Sequence, residues 1–243
     1  MGKEIRQSCK QDGTPWRLLF IGNSATYVHE LPQMLSHLAG EVGYKIEVER
    51  LTPGGYTLAQ HADASTEHGQ RVLGKIREGF DVVFLQDNGN CVSDDDFRNA
   101  SRNACDVLVR EIRKSGAEPW FYVRPPYGYE AFGRSPYEQC RAFDELFSPI
   151  AEQLEMKCAY VNRAFAKAIE GLPFDLWGKD HGHTSEHGAY LAVCVFFASL
   201  FGKSATQLSA YEIPEQDAAL LQAVADSIAL DGVIPWESRE SGC

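Results

Sequence analysis

The chain has 243 residues, 44% of them hydrophobic and 23% charged, a balance that excludes a disordered polymer and leaves enough apolar side chain for one large core. Its 34 acidic residues outnumber 23 basic ones, for a formal charge of −11, which argues against a protein that tracks nucleic-acid phosphates. The longest apolar stretches, such as 189–201, fall short of the roughly 20 residues that a membrane helix needs.

The opening residues MGKEIRQSCK contain no apolar leader segment, and Arg6 stands where a myristoylation signal would carry serine or threonine. The expectation is a cytoplasmic chain with no membrane partner. Seven cysteines, Cys9, Cys91, Cys105, Cys140, Cys158, Cys194 and Cys243, make an odd set without a C-x-x-C pair. That pattern predicts free thiols acting mainly as small apolar side chains.

Along the chain, short β-rich runs alternate with longer helical patterns. Strands are predicted over 17–21, 46–51, 81–86, 118–123 and 158–161, and helices over 31–42, 57–78, 94–114 and 136–155. Leu18-Leu19-Phe20-Ile21 and Val82-Val83-Phe84-Leu85 are apolar without alternation, as central parallel strands covered on both faces should be. Ser93 with Asp96 suits a helix start, Gly116 a helix end, and Pro136 a first turn. The run Asp94-Asp95-Asp96 reads as acid complementing a helix N-terminus. A short helical run at 163–169, an apolar helix at 186–201 and a last helix near 214–230 complete the pattern. Together these elements predict one domain, a three-layer α/β/α sandwich with about five parallel strands. Its core spans about 17–202, followed by a C-terminal helix and tail.

Sites in such sheets lie beyond the carboxyl ends of the strands. The first strand ends in Gly22-Asn23-Ser24, the second leads to Pro53-Gly54-Gly55, and the third to Gln86-Asp87-Asn88-Gly89-Asn90. A separate loop carries Asp180-His181-Gly182-His183. A serine hydroxyl is a weak nucleophile until a base takes its proton. His183 is the candidate base, and Asp180, three residues earlier, could bind its far nitrogen and fix the tautomer. Attack on a carbonyl creates an oxyanion, for which the backbone N–H groups of Ser24 and Gly55 and the side-chain amide of Asn88 are candidate donors.

These four blocks resemble the SGNH hydrolases, the GDSL-type esterases and lipases named for a serine, a glycine, an asparagine and a histidine. Phe20-Ile21-Gly22-Asn23-Ser24 is similar to the first block, with Asn23 where aspartate is usual. Gly54-Gly55 is similar to the second. Gln86-Asp87-Asn88-Gly89 departs at both ends from the usual Gly-x-Asn-Asp, so Asn90 remains an alternative to Asn88. Asp180-His181-Gly182-His183 is similar to the closing Asp-x-x-His, with Ser185 and Gly188 following as in relatives. The resemblance implies a flavodoxin-like sandwich and cofactor-free hydrolysis of an ester, often an acetyl or other small acyl group on a carbohydrate.

Other readings of the same residues stand beside this one. Ser24 could be only a helix N-cap, and Gly54-Gly55 only a turn. His181, His183 and His187 could form a metal cluster, although a helix starting after His183 makes the four-residue spacing to His187 a poor ligand pair. Arg124, Tyr127, Tyr129 and Trp177 could contact a substrate through an anion-binding guanidinium and stacking rings, or could equally pack against the body. A catalytically silent carbohydrate-binding module would keep the sheet and lose the chemistry. No Gly-x-Gly-x-x-Gly follows the first strand, so a dinucleotide site is not expected.

Overall fold

The computed structural model describes residues 7–169 and 171–237. Arg6 and Cys243 lie outside the described residues. Five parallel strands form the sheet among them: β1 (Trp16–Ile21), β2 (Ile46–Leu51), β3 (Val82–Leu85), β4 (Glu118–Val123) and β5 (Lys157–Tyr160). Their order is β2-β1-β3-β4-β5. The chain therefore builds outward from β1 to β2, then reverses direction across the sheet at β3. Loops leaving β1 and β3 diverge to opposite faces at that reversal, the place at the strands' carboxyl ends where sites form in such sheets.

In chain order the α-helices are α1 (Ser24–Tyr27), α2 (Leu31–Glu41), α3 (Leu58–Ala62), α4 (Glu67–Ile76), α5 (Asp95–Lys114), α6 (Pro136–Gln153), α7 (Val161–Ala168), α8 (Glu186–Phe201) and α9 (Glu215–Ala229). Side-chain alternation along each strand divides the interior into two cores. Leu18, Phe20, Val82, Phe84, Trp120 and Tyr122 face α2, α7, α8 and α9. Leu19, Ile21, Val83, Leu85, Phe121 and Val123 face α3, α4, α5 and α6. The result is the predicted three-layer sandwich. Phe20 stacks on Phe84 with ring centroids 4.6 Å apart, and Phe196 of α8 meets both rings at 5.7 and 5.4 Å. Helix α8 is apolar around its whole circumference because the sheet, α2, α7 and α9 enclose it. No described helix is long and apolar enough to cross a membrane.

Local differences from the sequence reading have identifiable causes. The single helix expected over 57–78 is two, broken where Asp63 Oδ1 takes the Ser65 N–H at 3.0 Å and the Ser65 hydroxyl at 2.6 Å. Thr66 then caps α4 through the Gly69 N–H. Short polar side chains bonded to their own backbone compete with the helix ladder. Asp94, not Ser93, caps α5, accepting from the Phe97 N–H at 3.0 Å. Ser135 and Glu138 form a capping box at α6, with Pro136 in the first turn as expected. Cys91, Cys105, Cys140 and Cys194 are buried free thiols, and burial pushes the ionisation of each upward.

Candidate active site

Ser24 opens α1 directly beyond the carboxyl end of β1. The helix cap is its neighbour Asn23, whose Oδ1 accepts the Ala25 N–H at 3.1 Å. Ser24 is therefore the first helical residue, and a first-turn N–H has no partner within its own helix. The Asn23 amide nitrogen donates to the Tyr56 carbonyl at 2.8 Å, which ties the serine turn to the loop after β2.

That loop is joined to the one after β3 by the bond from Asn88 Nδ2 to the Gly55 carbonyl at 2.8 Å. An amide nitrogen carries two hydrogens, so one fixes Gly55 and the other stays available. Gly55 has φ +74°, a left-handed conformation that only glycine adopts without strain. Its own N–H makes no hydrogen bond among the described residues. Beneath both loops lies Asp87, 3% exposed. Its carboxylate accepts from the Leu58 N–H at 2.8 Å, the Asn88 N–H at 2.7 Å and the Ser101 hydroxyl at 2.5 Å. Burial raises its pKa, and these donors oppose the rise. Asn90 stands in a 3-10 turn over Gly89–Val92. Its backbone N–H bonds Asn88 Oδ1 at 3.2 Å, and its own Oδ1 is buried without a partner among the described residues.

The loop before α8 brings Asp180 and His183 together, with Nδ1 donating to Oδ2 at 2.6 Å. Asp180 Oδ1 also accepts the N–H groups of Gly182 and His183, each at 3.1 Å. These bonds, led by the one from the imidazole, hold the carboxyl down to about 2. The carboxylate stays ionised throughout the neutral range, and Nε2 is left as the free acceptor of a neutral ring. Ser185 caps α8, taking the Gly188 N–H at 3.3 Å. His187 turns away to Asp217 of α9 at 2.9 Å and stacks on Phe174.

His29 joins this loop to the serine segment. It lies five residues beyond Ser24, in a turn where His29 and Glu30 both have positive φ, at 57° and 50°. Two left-handed non-glycine residues are costly. The His29 ring nitrogen Nε2 donates to the Thr184 carbonyl, next to His183, at 2.8 Å, which holds the strained turn against the loop. The described structure thus puts Ser24 and His183 on adjoining segments of one rim. Ser24 Oγ and His183 Nε2 make no hydrogen bond to each other or to another described group.

Tyr127 and Tyr129 stack with centroids 5.4 Å apart, and Tyr129 is 47% exposed. Arg124 lies deeper than expected for a rim residue, at 4% exposure. Its Nε donates to the Pro125 carbonyl at 2.8 Å, and its guanidinium rests on Tyr127 at 4.3 Å. Trp177 is tied to the same loop by Nε1 donating to the Pro126 carbonyl at 2.9 Å. The Gly128 N–H bonds the His181 carbonyl at 2.7 Å, so the aromatic wall and the Asp-His loop share a border.

Sequence reasoning assigned no partner to His61, which is fully buried in α3. Its Nε2 donates to the Gly22 carbonyl at 2.8 Å, and its Nδ1 accepts from His68 Nε2 at 2.9 Å. Burial, partly offset by the bond to the Gly22 carbonyl and aided by the neighbouring His68, lowers its pKa from 6.5 to about 4. An unfolded chain therefore takes up this proton first as pH falls, so stability declines from about pH 6.5 to about pH 4 and then levels. The shift is worth about 3 kcal/mol. Urea unfolding at pH 7 and pH 4 should show His61→Gln losing less stability than the wild type by roughly that amount. Equal losses in both proteins would refute the buried neutral ring.

No family model matches the chain, and a search of curated proteins returns no match. Solved structures do match. A protein from Slackia heliotrinireducens assigned to the SGNH hydrolases is 25% identical, with a TM-score of 0.65 over 75% of this chain and 97% of its own. A DUF4886 family protein from Bacteroides uniformis is 16% identical, with a TM-score of 0.75 over 92% and 99%. A catalytic mutant of an acetylxylan esterase from Geobacillus stearothermophilus is 16% identical, with a TM-score of 0.56 over 79% and 96%.

Proposed function

The chain has the fold of the SGNH hydrolases, and from that premise we propose that it is a serine esterase acting on a small acyl ester, such as an acetyl group on a carbohydrate or similar small molecule. The observation that carries this reading is the 2.6 Å bond between Asp180 and His183, on a loop pinned through His29 to the segment that begins with Ser24. Acetylxylan esterases among the structural neighbours support the choice of acyl group.

In the proposed route Ser24 Oγ attacks the ester carbonyl while His183 Nε2 takes its proton. Asp180 orients the ring and stabilises the imidazolium. The oxyanion is received by the N–H groups of Ser24 and Gly55 and the free amide hydrogen of Asn88. Asn88 is chosen over Asn90 because its amide nitrogen reaches the Gly55 carbonyl, a bond that the Asn90 side chain does not make among the described residues. Collapse of the tetrahedral intermediate returns the proton from His183 to the leaving alcohol. Water, activated by His183 in turn, then releases the acid from Ser24. Tyr127 and Tyr129 offer an aromatic face to the alcohol portion, with Trp177 on the same loop border, while the buried Arg124 guanidinium supports the Tyr127 ring and does not meet the substrate. No cofactor is required by this sequence of steps.

A panel of chromogenic esters and acetylated sugars tests the proposal together with a fluorophosphonate that labels reactive serines. The wild type should hydrolyse short acyl esters and carry the label on Ser24. Asn88→Ala should remain folded and lose about 100- to 1000-fold in kcat. A wild type that binds acetylated sugars but neither hydrolyses them nor takes the label would be a binding module instead.

A further inference from the structure

The peptide group between Gly22 and Asn23, one residue ahead of the Asn23–Ser24 peptide, is gripped from two sides by buried side chains of other segments. On its carbonyl side stands His61, with Nε2 2.8 Å from the Gly22 oxygen. A carbonyl can only accept, so Nε2 carries the hydrogen, and the bond to His68 at Nδ1 reinforces that tautomer. On its N–H side stands Gln86, 1% exposed, whose Oε1 accepts the Asn23 N–H at 2.9 Å. The same oxygen takes the buried Thr26 hydroxyl at 2.9 Å, and the Gln86 amide nitrogen donates to the Asp87 carbonyl. Both ends of the glutamine amide are thereby assigned. Gly22 makes the approach possible, since a Cβ there would stand 2.5 Å from Gln86 Oε1.

A peptide group is a rigid plane, so bonds to its opposite edges restrain its rotation about the chain axis. We propose that His61 and Gln86 are positioning residues that lock this plane and so set the direction in which Ser24 Oγ leaves the end of β1. The inference rests on the nucleophile reading of Ser24. Neither residue touches substrate. Gln86 stands where the resembled third block has glycine, and the departure supplies one jaw of the clamp. His61 reaches in from α3, after the Gly55 turn, so the loops that offer oxyanion donors also hold the nucleophile's backbone.

The test compares kcat, KM and the rate of fluorophosphonate labelling at Ser24 in the full chain, with thermal unfolding to show that each variant is folded. Gln86→Met keeps the side-chain length and removes the acceptor, while His61→Leu removes the donor. Each should lower kcat and the labelling rate by about 10- to 100-fold, the scale of a small misplacement of a reacting group, with KM changed by less than about threefold. His61→Gln can still present an N–H to the Gly22 carbonyl and should restore most of kcat. The double variant should be little worse than the poorer single one, because groups acting as a unit are not additive. Gln86→Leu and His61→Met, which also lack the acceptor and the donor, replace the first pair if either of those fails to fold.

Folded variants with kcat and labelling within about twofold of an active wild type would overturn the clamp and leave the esterase reading intact. Unfolding of all four variants would assign the two side chains to stability alone and overturn it too. A wild type without turnover or label would instead remove the nucleophile reading, and the clamp's role with it.

Discussion

Alanine at position 24 should lower ester turnover by about a millionfold, the scale seen when a triad nucleophile is removed, while the protein keeps its fold. The contrast matters because it separates the two readings of this serine. A capping serine would be missed by the helix and not by the substrate. Here the cap is Asn23, bonded to the Ala25 N–H, and it survives the substitution. The Ser24 hydroxyl makes no hydrogen bond among the described residues, so its loss leaves no buried partner unsatisfied. Thermal stability should therefore move by less than about 1 kcal/mol. Residual turnover should come from the Gly55 and Asn88 donors, which do not need the nucleophile to polarise a bound carbonyl. Turnover on a chromogenic acetyl ester and the unfolding midpoint are the two measurements. Undiminished turnover would take Ser24 out of the reaction, and a large fall in midpoint with turnover preserved would return it to a structural role.

The sheet was legible because the physics that builds it is local. Leu18–Ile21 and Val82–Leu85 carry apolar residues on both faces, and only a strand covered by helices on both sides accommodates that. The four candidate blocks could also be located, since three lie where a predicted strand ends and the fourth lies just before a predicted helix begins. What holds those blocks together could not be read. His61 is 39 residues from the Gly22 carbonyl it bonds, and Gln86 is 63 from the Asn23 N–H. Those contacts depend on strand order, and no periodicity marks a histidine or a glutamine for them. His29 is similar, since its bond to Thr184 spans 155 residues and needs two left-handed residues that nothing local demands. The break inside 57–78 did have a local signal in Asp63, Ser65 and Thr66, three short polar side chains able to bond their own backbone. Arg124 was expected at the rim because it directly follows the fourth strand, at the carboxyl end of the sheet. Its guanidinium is instead covered by Tyr127 and Phe143, where stacking on flat rings lets a cation be enclosed.

Asp180→Asn should cost about 1,000- to 10,000-fold in kcat with the loop still in place. The carboxylate has two separate tasks, and the substitution divides them. Oδ1 receives the N–H groups of Gly182 and His183, and an asparagine oxygen can keep those bonds. Oδ2 receives His183 Nδ1–H, and there the asparagine presents an NH2 group instead. A donor facing Nδ1 makes that nitrogen the acceptor and moves the ring proton to Nε2, leaving no lone pair to take the proton of Ser24. Even a correctly turned ring would lose the negative charge that stabilises the imidazolium. Asp180→Ala should be as inactive and also less stable, because the turn loses both backbone bonds. The pair also constrains the pH profile. With Asp180 held down to about 2, its protonation cannot account for a loss of rate above about pH 3, so an acid limb in that range belongs to another group. The exposure of the pair, 57% for Asp180 and 37% for His183, admits water that can partly replace the missing acceptor, which is why the lower end of the range is included. A folded Asp180→Asn protein within tenfold of the wild type would show that this pair does not set the proton transfer, however short the bond between its two side chains.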